Sequence, residues 1–337
     1  MVKISATIKD IARYTGLSIA TISKYLNGGN VLEKNRILIE EAIKALDFEV
    51  NEIARGLRTN KTMTIGVLIP VFEVFFNTIV SSLENVLLET GYSVVVCDYR
   101  DDENLEKERL DFLYKKRVDA LVVVPTYLKG SDIKKIIKRD IPIVAVDRPI
   151  ENFECDTILV NNFEVSYQAV EKLILMGHRK IGIICGPQNI YTAQERLNGY
   201  MKAHIDYKIS VNEEYIKFGE FHNMESGYKK MIELLEMANP PTAIFITNYE
   251  MTLGAIIAVN EKDIKVPDDL SVIGFDNLEM AKIVKPSLSL VVQPMEEIGE
   301  VVASLLLKRL KGDKTDFPLQ KKLNAQVLIK NSVKKIT

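Results

Sequence analysis

From residue 62 onward the chain repeats one alternation: a short, uniformly apolar run, a turn, and a longer stretch of helical pattern. The runs are TIGVLIP, YSVVVCD, DALVVVP, IPIVAVD, KIGIICG, TAIFIT and LSVIGFD. None alternates polar with apolar residues as a strand with one wet face would. Such strands are buried on both faces, which is the condition of a parallel sheet covered by helices. Helical patterns such as FNTIVSSLENVLLETG, NFEVSYQAVEKLILMG and EMTLGAIIAVNEKD stand between most of them, so the units are βαβ. One closed barrel or two doubly wound lobes would satisfy this pattern. Two features favour lobes: CDTILVNNFEVS can carry the chain from one sheet to the other, and SLSLVVQPMEEIGEVVASLLLKRLKG adds a late strand and a long helix. The expected α/β lobes are 62–161 with 292–322, and 162–291 with 323–337. Three crossings between them leave a cleft at the strand ends, where ligands bind in such sheets.

The first 50 residues read differently, as three short helices. TIKDIARYTG opens on Thr7, an N-cap residue, carries Ile8, Ile11 and Ala12 on one face, and stops at Gly16. Ser18 caps SIATISKYLNGG, with Ile22 and Leu26 facing inward. EKNRILIEEAIKALDF aligns Ile39, Ala42, Ile43 and Leu46. Two short helices joined by TGLS describe a helix-turn-helix, whose second helix would turn Ile19, Ala20 and Lys24 toward base edges and Ser18, Thr21 and Asn27 toward phosphates. A plain three-helix bundle with a wet polar face fits the same spacing. Net charge is −2 for the whole chain, so a nucleic-acid surface has to be local. Next comes NEIARGLR (51–58), too short to be a stable helix alone and weakened by Gly56.

TIKDIARYTGLSIATISKYLNG followed by NEIARGLR resembles the headpiece and hinge of the LacI/GalR family of bacterial transcription regulators. The chain from Thr62 resembles that family's effector domain, itself similar to ribose-type periplasmic sugar-binding proteins. The resemblance implies a helix-turn-helix headpiece over 1–50, a hinge helix and linker over 51–61, and two lobes of periplasmic-binding-protein type. It assigns DNA contacts to Thr7, Ser18, Ile19, Ala20, Thr21, Lys24 and Asn27, and in the hinge to Asn51, Ala54, Arg55 and Leu57. Leu57 would wedge between base pairs of the minor groove. Many relatives have arginine where Lys24 stands; lysine lacks the bidentate fork, so readout there should be softer. Val50 stands where relatives often have proline, leaving the hinge helix without a preset start.

Polar residues at predicted strand ends supply a cleft: Asp147 and Arg148 after VAV, Arg196 near a helix start, Asn248 after IFIT, Asp276 after VIGF, and Gln293 at a crossing. Carboxylates, guanidinium groups and amides pair with sugar hydroxyls, and Phe75, Phe76 and Phe221 could cover the ring faces. This pattern resembles that of ribose-type binders, although Glu73 and Val124 replace asparagines and Tyr249 replaces an aspartate. A hexose or sugar acid fits as well as ribose. VVQPMEEIG is reminiscent of catabolite-control regulators, which use a phosphorylated carrier protein as corepressor, but the Met-Arg pair that binds the carrier is missing.

No dinucleotide, P-loop or nucleophile-elbow motif follows a strand, and His178, His204 and His222 have no paired spacing. Cys97, Cys155 and Cys185 lack metal or redox spacing and read as buried thiols. No enzyme, metal or cofactor is expected. The N-terminus lacks a signal peptide's apolar core and no run spans a membrane, so a cytoplasmic protein is expected. The expectation is a repressor, homodimeric on a pseudo-palindromic double-stranded operator and controlled by a small sugar or sugar-acid effector. A tail without heptads argues against a tetramer. The alternative outside regulation is a cytoplasmic sugar-binding protein whose head serves protein contacts.

Overall fold

A computed structural model of the chain describes residues 6–26, 28–48, 61–276 and 278–336, with the side chains of 278–280 excepted. Asn27 and the hinge residues Asn51, Ala54, Arg55 and Leu57 lie outside the described residues. The chain forms two compact units, 1–62 and 63–337.

In the first unit, α1 (Ile8–Thr15), α2 (Ile19–Leu26) and α3 (Glu33–Ala45) pack around Ile11, Ile22, Ile39 and Ala42, all fully buried. Each start and stop has a local cause. The Asp10 carboxylate accepts from the Thr7 N–H (2.9 Å) and hydroxyl (2.6 Å), closing the first turn. Gly16, at φ 68°, ends α1 in the left-handed conformation that glycine adopts without strain. The Ser18 hydroxyl accepts from the Thr21 N–H at 3.2 Å and starts α2.

The second unit opens with β1 (Thr64–Ile69), α4 (Val74–Leu88), β2 (Ser93–Asp98), α5 (Glu103–Lys115), β3 (Ala120–Val123), α6 (Gly130–Ile137), β4 (Ile143–Val146) and β5 (Asp156–Val160). It continues with α7 (Asn162–Leu175), β6 (Ile181–Cys185), α8 (Tyr191–Asp206), β7 (Ile216–Phe218) and α9 (Met224–Leu235). Next come β8 (Ala243–Ile246), α10 (Tyr249–Glu261), β9 (Ser271–Phe275), α11 (Leu278–Ile283) and β10 (Ser289–Val292). Helix α12 (Met295–Leu310) and the strands β11 (Gln320–Leu323) and β12 (Gln326–Leu328) follow.

The strands form two six-stranded sheets, β11-β5-β4-β3-β1-β2 and β12-β10-β9-β8-β6-β7. All pairs are parallel except β10 with β12. The apolar runs are the strands, and all but the edge strand β2 are buried on both faces as their uniform composition requires. CDTILV is itself a strand of the first sheet, so the crossing it was expected to provide begins only at Asn161. The two sheets are built alike. In each, the helix that follows a crossing packs on the helix after the first strand: α12 on α4, and α7 on α8. The close approach needs glycine at both places. A Cβ on Gly299 would sit 2.5 Å from the Ile79 carbonyl oxygen, and one on Gly199 2.4 Å from that of Phe163.

The three cysteines are buried free thiols. His178 has the structural place its turn suggested: Nδ1 meets the Thr242 hydroxyl at 2.9 Å and Nε2 the Lys334 carbonyl at 3.1 Å. Among the described residues no helix is long and apolar enough to cross a membrane.

Candidate functional site

Two surfaces carry chemistry. The first is the outer face of α2. Its inner face is spent on Ile22, whereas Ile19, Ala20 and Lys24 are exposed, Ile19 by 46%. An isoleucine left in water at the first turn of a capped helix contributes nothing to the core beneath it. Ser18 and Thr21 hold each other through their hydroxyls at 2.9 Å and stay at the surface, as does Thr7.

The second is the cleft between the sheets of the 63–337 unit. All nine residues expected there, Phe75, Phe76, Asp147, Arg148, Arg196, Phe221, Asn248, Asp276 and Gln293, line one cavity, together with Glu73, Val74, Thr192, His222 and Tyr249. The βαβ geometry explains the convergence, since strand ends and helix starts of both sheets face the same crevice. Asp147 follows β4 and Asp276 follows β9, the same place in each sheet. Both adopt left-handed backbone (φ 70° and 59°), and both N–H groups bond to the adjacent strand, Asp147 to Ile158 and Asp276 to Val291. A non-glycine residue held there costs on the order of 1 kcal/mol or more, and such strain collects at ligand sites.

The charged groups are arranged in supported pairs. Arg148 Nε meets Asp147 Oδ2 at 3.1 Å, and its Nη1 reaches the Thr126 hydroxyl at 3.2 Å, which in turn bonds Tyr99. Burial opposes the Arg148 charge, but Asp147, Tyr99 and Asp101 outweigh it and hold its pKa above the usual value. The Arg196 guanidinium sits over the Phe275 ring, Cζ 3.8 Å from its centre, and donates to Asn162 Oδ1 (2.8 Å) and the Thr247 carbonyl (2.6 Å). Burial lowers its pKa. The Asn248 side chain caps α10. Gln293 donates to Asp276 Oδ2 at 2.8 Å, while Asp276 Oδ1 and Gln293 Oε1 are buried without any partner. Burial pushes the Asp276 carboxyl up to about 7.

Because these groups pair with one another, the remaining cavity is only ≈ 30 Å³, room for about two water molecules. Cavities of ≈ 290 and ≈ 280 Å³ lie elsewhere in the same unit. The first is bounded by Arg309 and Phe317 and the second, mostly aliphatic, abuts the cleft through Tyr249 and Asp276. Neither gathers as many charged and amide groups as the small cleft, so chemistry rather than volume marks the site.

Sequence reasoning had Glu73 and Tyr249 only as departures from a pattern, and had no reason to place Thr192 or His222 in the cleft. His222 Nδ1 bonds Glu73 Oε2 at 2.8 Å across the cleft from the other sheet's lobe. The partners are far apart in the chain, and no local spacing signals such a pair.

Comparison with known proteins agrees with this architecture. Residues 7–51 match the bacterial regulatory proteins of the lacI family, and 170–333 match the periplasmic binding protein-like domain. The chain is 34% identical over 334 residues to the HTH-type transcriptional repressor PurR of Actinobacillus pleuropneumoniae serotype 3 (strain JL03), covering 98% of this chain and 99% of that one. The lac repressor dimer bound to operator and the anti-inducer ONPF superimposes with a TM-score of 0.87 at 24% identity, over 98% of this chain and 100% of that one. The transcriptional regulator CelR in complex with cellobiose matches with a TM-score of 0.72 at 27% identity, over 97% of this chain and 99% of that one. The headpiece match and the relatives define the class, a DNA-binding transcriptional repressor. The chain belongs to the lacI family of bacterial regulatory proteins.

Proposed function

We propose that the cleft binds a small, sugar-like effector rich in hydroxyl donors, and that this effector sets the affinity of a cytoplasmic homodimer for a pseudo-palindromic operator. The observation that carries the effector class is the pair of orphaned acceptors, Asp276 Oδ1 and Gln293 Oε1, buried beside Arg196 and Asn248. A buried acceptor without a donor costs about 1–3 kcal/mol, so a ligand that brings donors recovers that cost. Sugar hydroxyls donate and also accept from the guanidinium groups. A carboxylate or phosphate brings acceptors only and would meet the Asp276 charge, which disfavours the sugar-acid alternative. Phenylalanine faces would also stack a planar base, and a base with adjacent N–H donors would fit the same two acceptors; the relatives named PurR make this the second reading. The cellobiose complex of a relative supports a sugar.

The moving units in this reading are 62–161 with 292–322, and 162–291 with 323–337. A sugar enters as they part and takes over the internal pairs. Operator affinity follows the ligand because the two lobe arrangements hold the hinges differently. One headpiece reads few base pairs, so a two-fold pair of them reads two half-sites. Ile19, Ala20 and Lys24 read bases; Thr7, Ser18, Thr21 and Asn27 hold phosphates; and Asn51, Ala54, Arg55 and Leu57 enter the minor groove.

Two experiments test this. Thermal-shift screening against neutral sugars, sugar acids, sugar phosphates and nucleobases should raise the melting temperature with sugars, since ligand bound only to the native state stabilises it. Stabilisation by sugar phosphates or nucleobases alone would reject the effector class. Lys24→Arg should sharpen preference for guanine at one position of each half-site selected from random DNA. An identical selected-site profile would remove Lys24 from base readout.

A further inference from the structure

We propose that the effector carries a basic nitrogen, and that Glu73, held by His222 in the cleft lining, and the neighbouring Glu250 form an ammonium-binding subsite beside the cleft. The proposal rests on the reading of the cleft as a polyol site and narrows it to amino sugars and related amino polyols.

Glu73 precedes α4 in one lobe, while His222 and Glu250 belong to the other. One ligand atom from each of the three lies within 4.8 Å of the others. Two acceptors of one tetrahedral nitrogen lie about 4.6 Å apart at hydrogen-bond distance, so the two carboxylates are close enough to share one ammonium. His222 fixes one oxygen of Glu73 at 2.8 Å and has Asp101 Oδ2 3.8 Å from its other nitrogen. The Glu73 and His222 side chains are only 10% and 13% exposed. Glu250 Oε2 is buried and has no partner.

Charge points the same way. The cleft's guanidinium groups are occupied: Arg148 pairs with Asp147, and Arg196 acts on Asp147 and Asp276. Glu73 and Glu250 share the imidazole of His222, with Arg196 also acting on Glu73. Burial opposes a charge on His222, but Glu73 outweighs it and holds its pKa above the usual value. With both carboxylates ionised and His222 protonated, the trio would carry one negative charge among largely buried side chains. Burial, and then Glu73, push the Glu250 carboxyl up to about 8, so a proton fills the role when no ligand does. An ammonium replaces that proton: the Glu250 carboxyl releases H⁺ to solvent and its carboxylate accepts from the ligand nitrogen. The orphaned acceptors Asp276 Oδ1 and Gln293 Oε1, both on residues more than nine-tenths buried, accept from the hydroxyls of the same ligand.

The test is calorimetric titration of the full chain at pH 7 with pentoses and hexoses, each paired with its amino-deoxy counterparts at every carbon. At least one amino member should bind about tenfold or more tightly than its neutral partner. The preference should fall to about twofold or less in both Glu250→Gln and Glu73→Gln, with circular dichroism confirming that each variant folds. About one proton should be released per amino sugar bound, read from titrations in buffers of different ionisation enthalpy. Neutral sugars binding as well as or better than every amino partner would overturn the ammonium subsite and leave the polyol reading standing. No binding by any member would overturn both. Saturable binding of Mn²⁺ or Zn²⁺ alone, lost in Glu250→Gln, would overturn it in favour of a metal site.

Discussion

Asp276→Asn is expected to melt higher than the wild type at pH 8 and to bind its effector about 10- to 100-fold more weakly. The first effect follows from linkage. Burial raises the folded-state pKa of Asp276 to about 7 against the pull of Arg196 and Gln293, whereas an unfolded aspartate titrates near 3.9. A carboxyl whose folded pKa is raised destabilises the fold when ionised. The penalty is absent below about pH 4, grows from about pH 4 to 7, and is constant above. Asparagine keeps the shape and removes the charge, so the gap in unfolding free energy should open across that window, reaching on the order of 2–4 kcal/mol at pH 8 and appearing as a higher melting temperature. The second effect follows because a charge-assisted acceptor aimed at the ligand is lost, worth about 1.5–3 kcal/mol. Stability given up at a binding site is a common trade. A variant that melts at or below the wild type at pH 8, or binds effector unchanged, would contradict this account of Asp276.

Arg309→Ala carries the largest expected loss of stability. Arg309 grips Asp156 with two parallel bonds, Nε to Oδ2 at 2.7 Å and Nη2 to Oδ1 at 2.9 Å, with side chains 2% and 1% exposed. Asp156 Oδ1 also accepts from the Leu319 N–H, so one buried pair fastens α12, β5 and the approach to β11. Removing the guanidinium leaves an unpaired buried carboxylate, which costs about 3–5 kcal/mol and should lower the melting temperature by about 10 °C. Lysine should recover only part, lacking the fork. The double variant Arg309→Met with Asp156→Leu should be much closer to wild type than Arg309→Ala, because no lone charge remains. A loss below about 1 kcal/mol in Arg309→Ala would show that water reaches Asp156.

What was legible in the sequence depended on local signals. A strand buried on both faces writes itself as a continuous apolar run, so seven strands could be read directly. The first polar residue after such a run falls at the sheet's carboxyl edge, which is why Asp147, Asn248 and Asp276 could be placed in a cleft. Edge strands other than β2 carry no such signal. QKKL of β11 is mostly exposed and IKF of β7 has three residues, and neither reads as a strand. DTILV was read within a crossing; the partner of its opening Asp156, Arg309, comes from a helix far along the chain. His222 was passed over for the same reason, since its meaning lies in Glu73 and Glu250 on facing elements. Paired side chains from separate lobes need coordinates, whereas periodicity does not.

The central claim is that a polyol in the cleft controls DNA binding, and operator affinity tests it most directly. The dissociation constant for an operator selected from random DNA, measured at fixed salt because phosphate contacts make it salt-dependent, should change at least about tenfold when the wild-type chain is saturated with the sugar that stabilises it. The same sugar concentration should leave Asp276→Asn with most of that change lost. An operator affinity that does not move in the wild type, or moves equally in both proteins, would contradict the account.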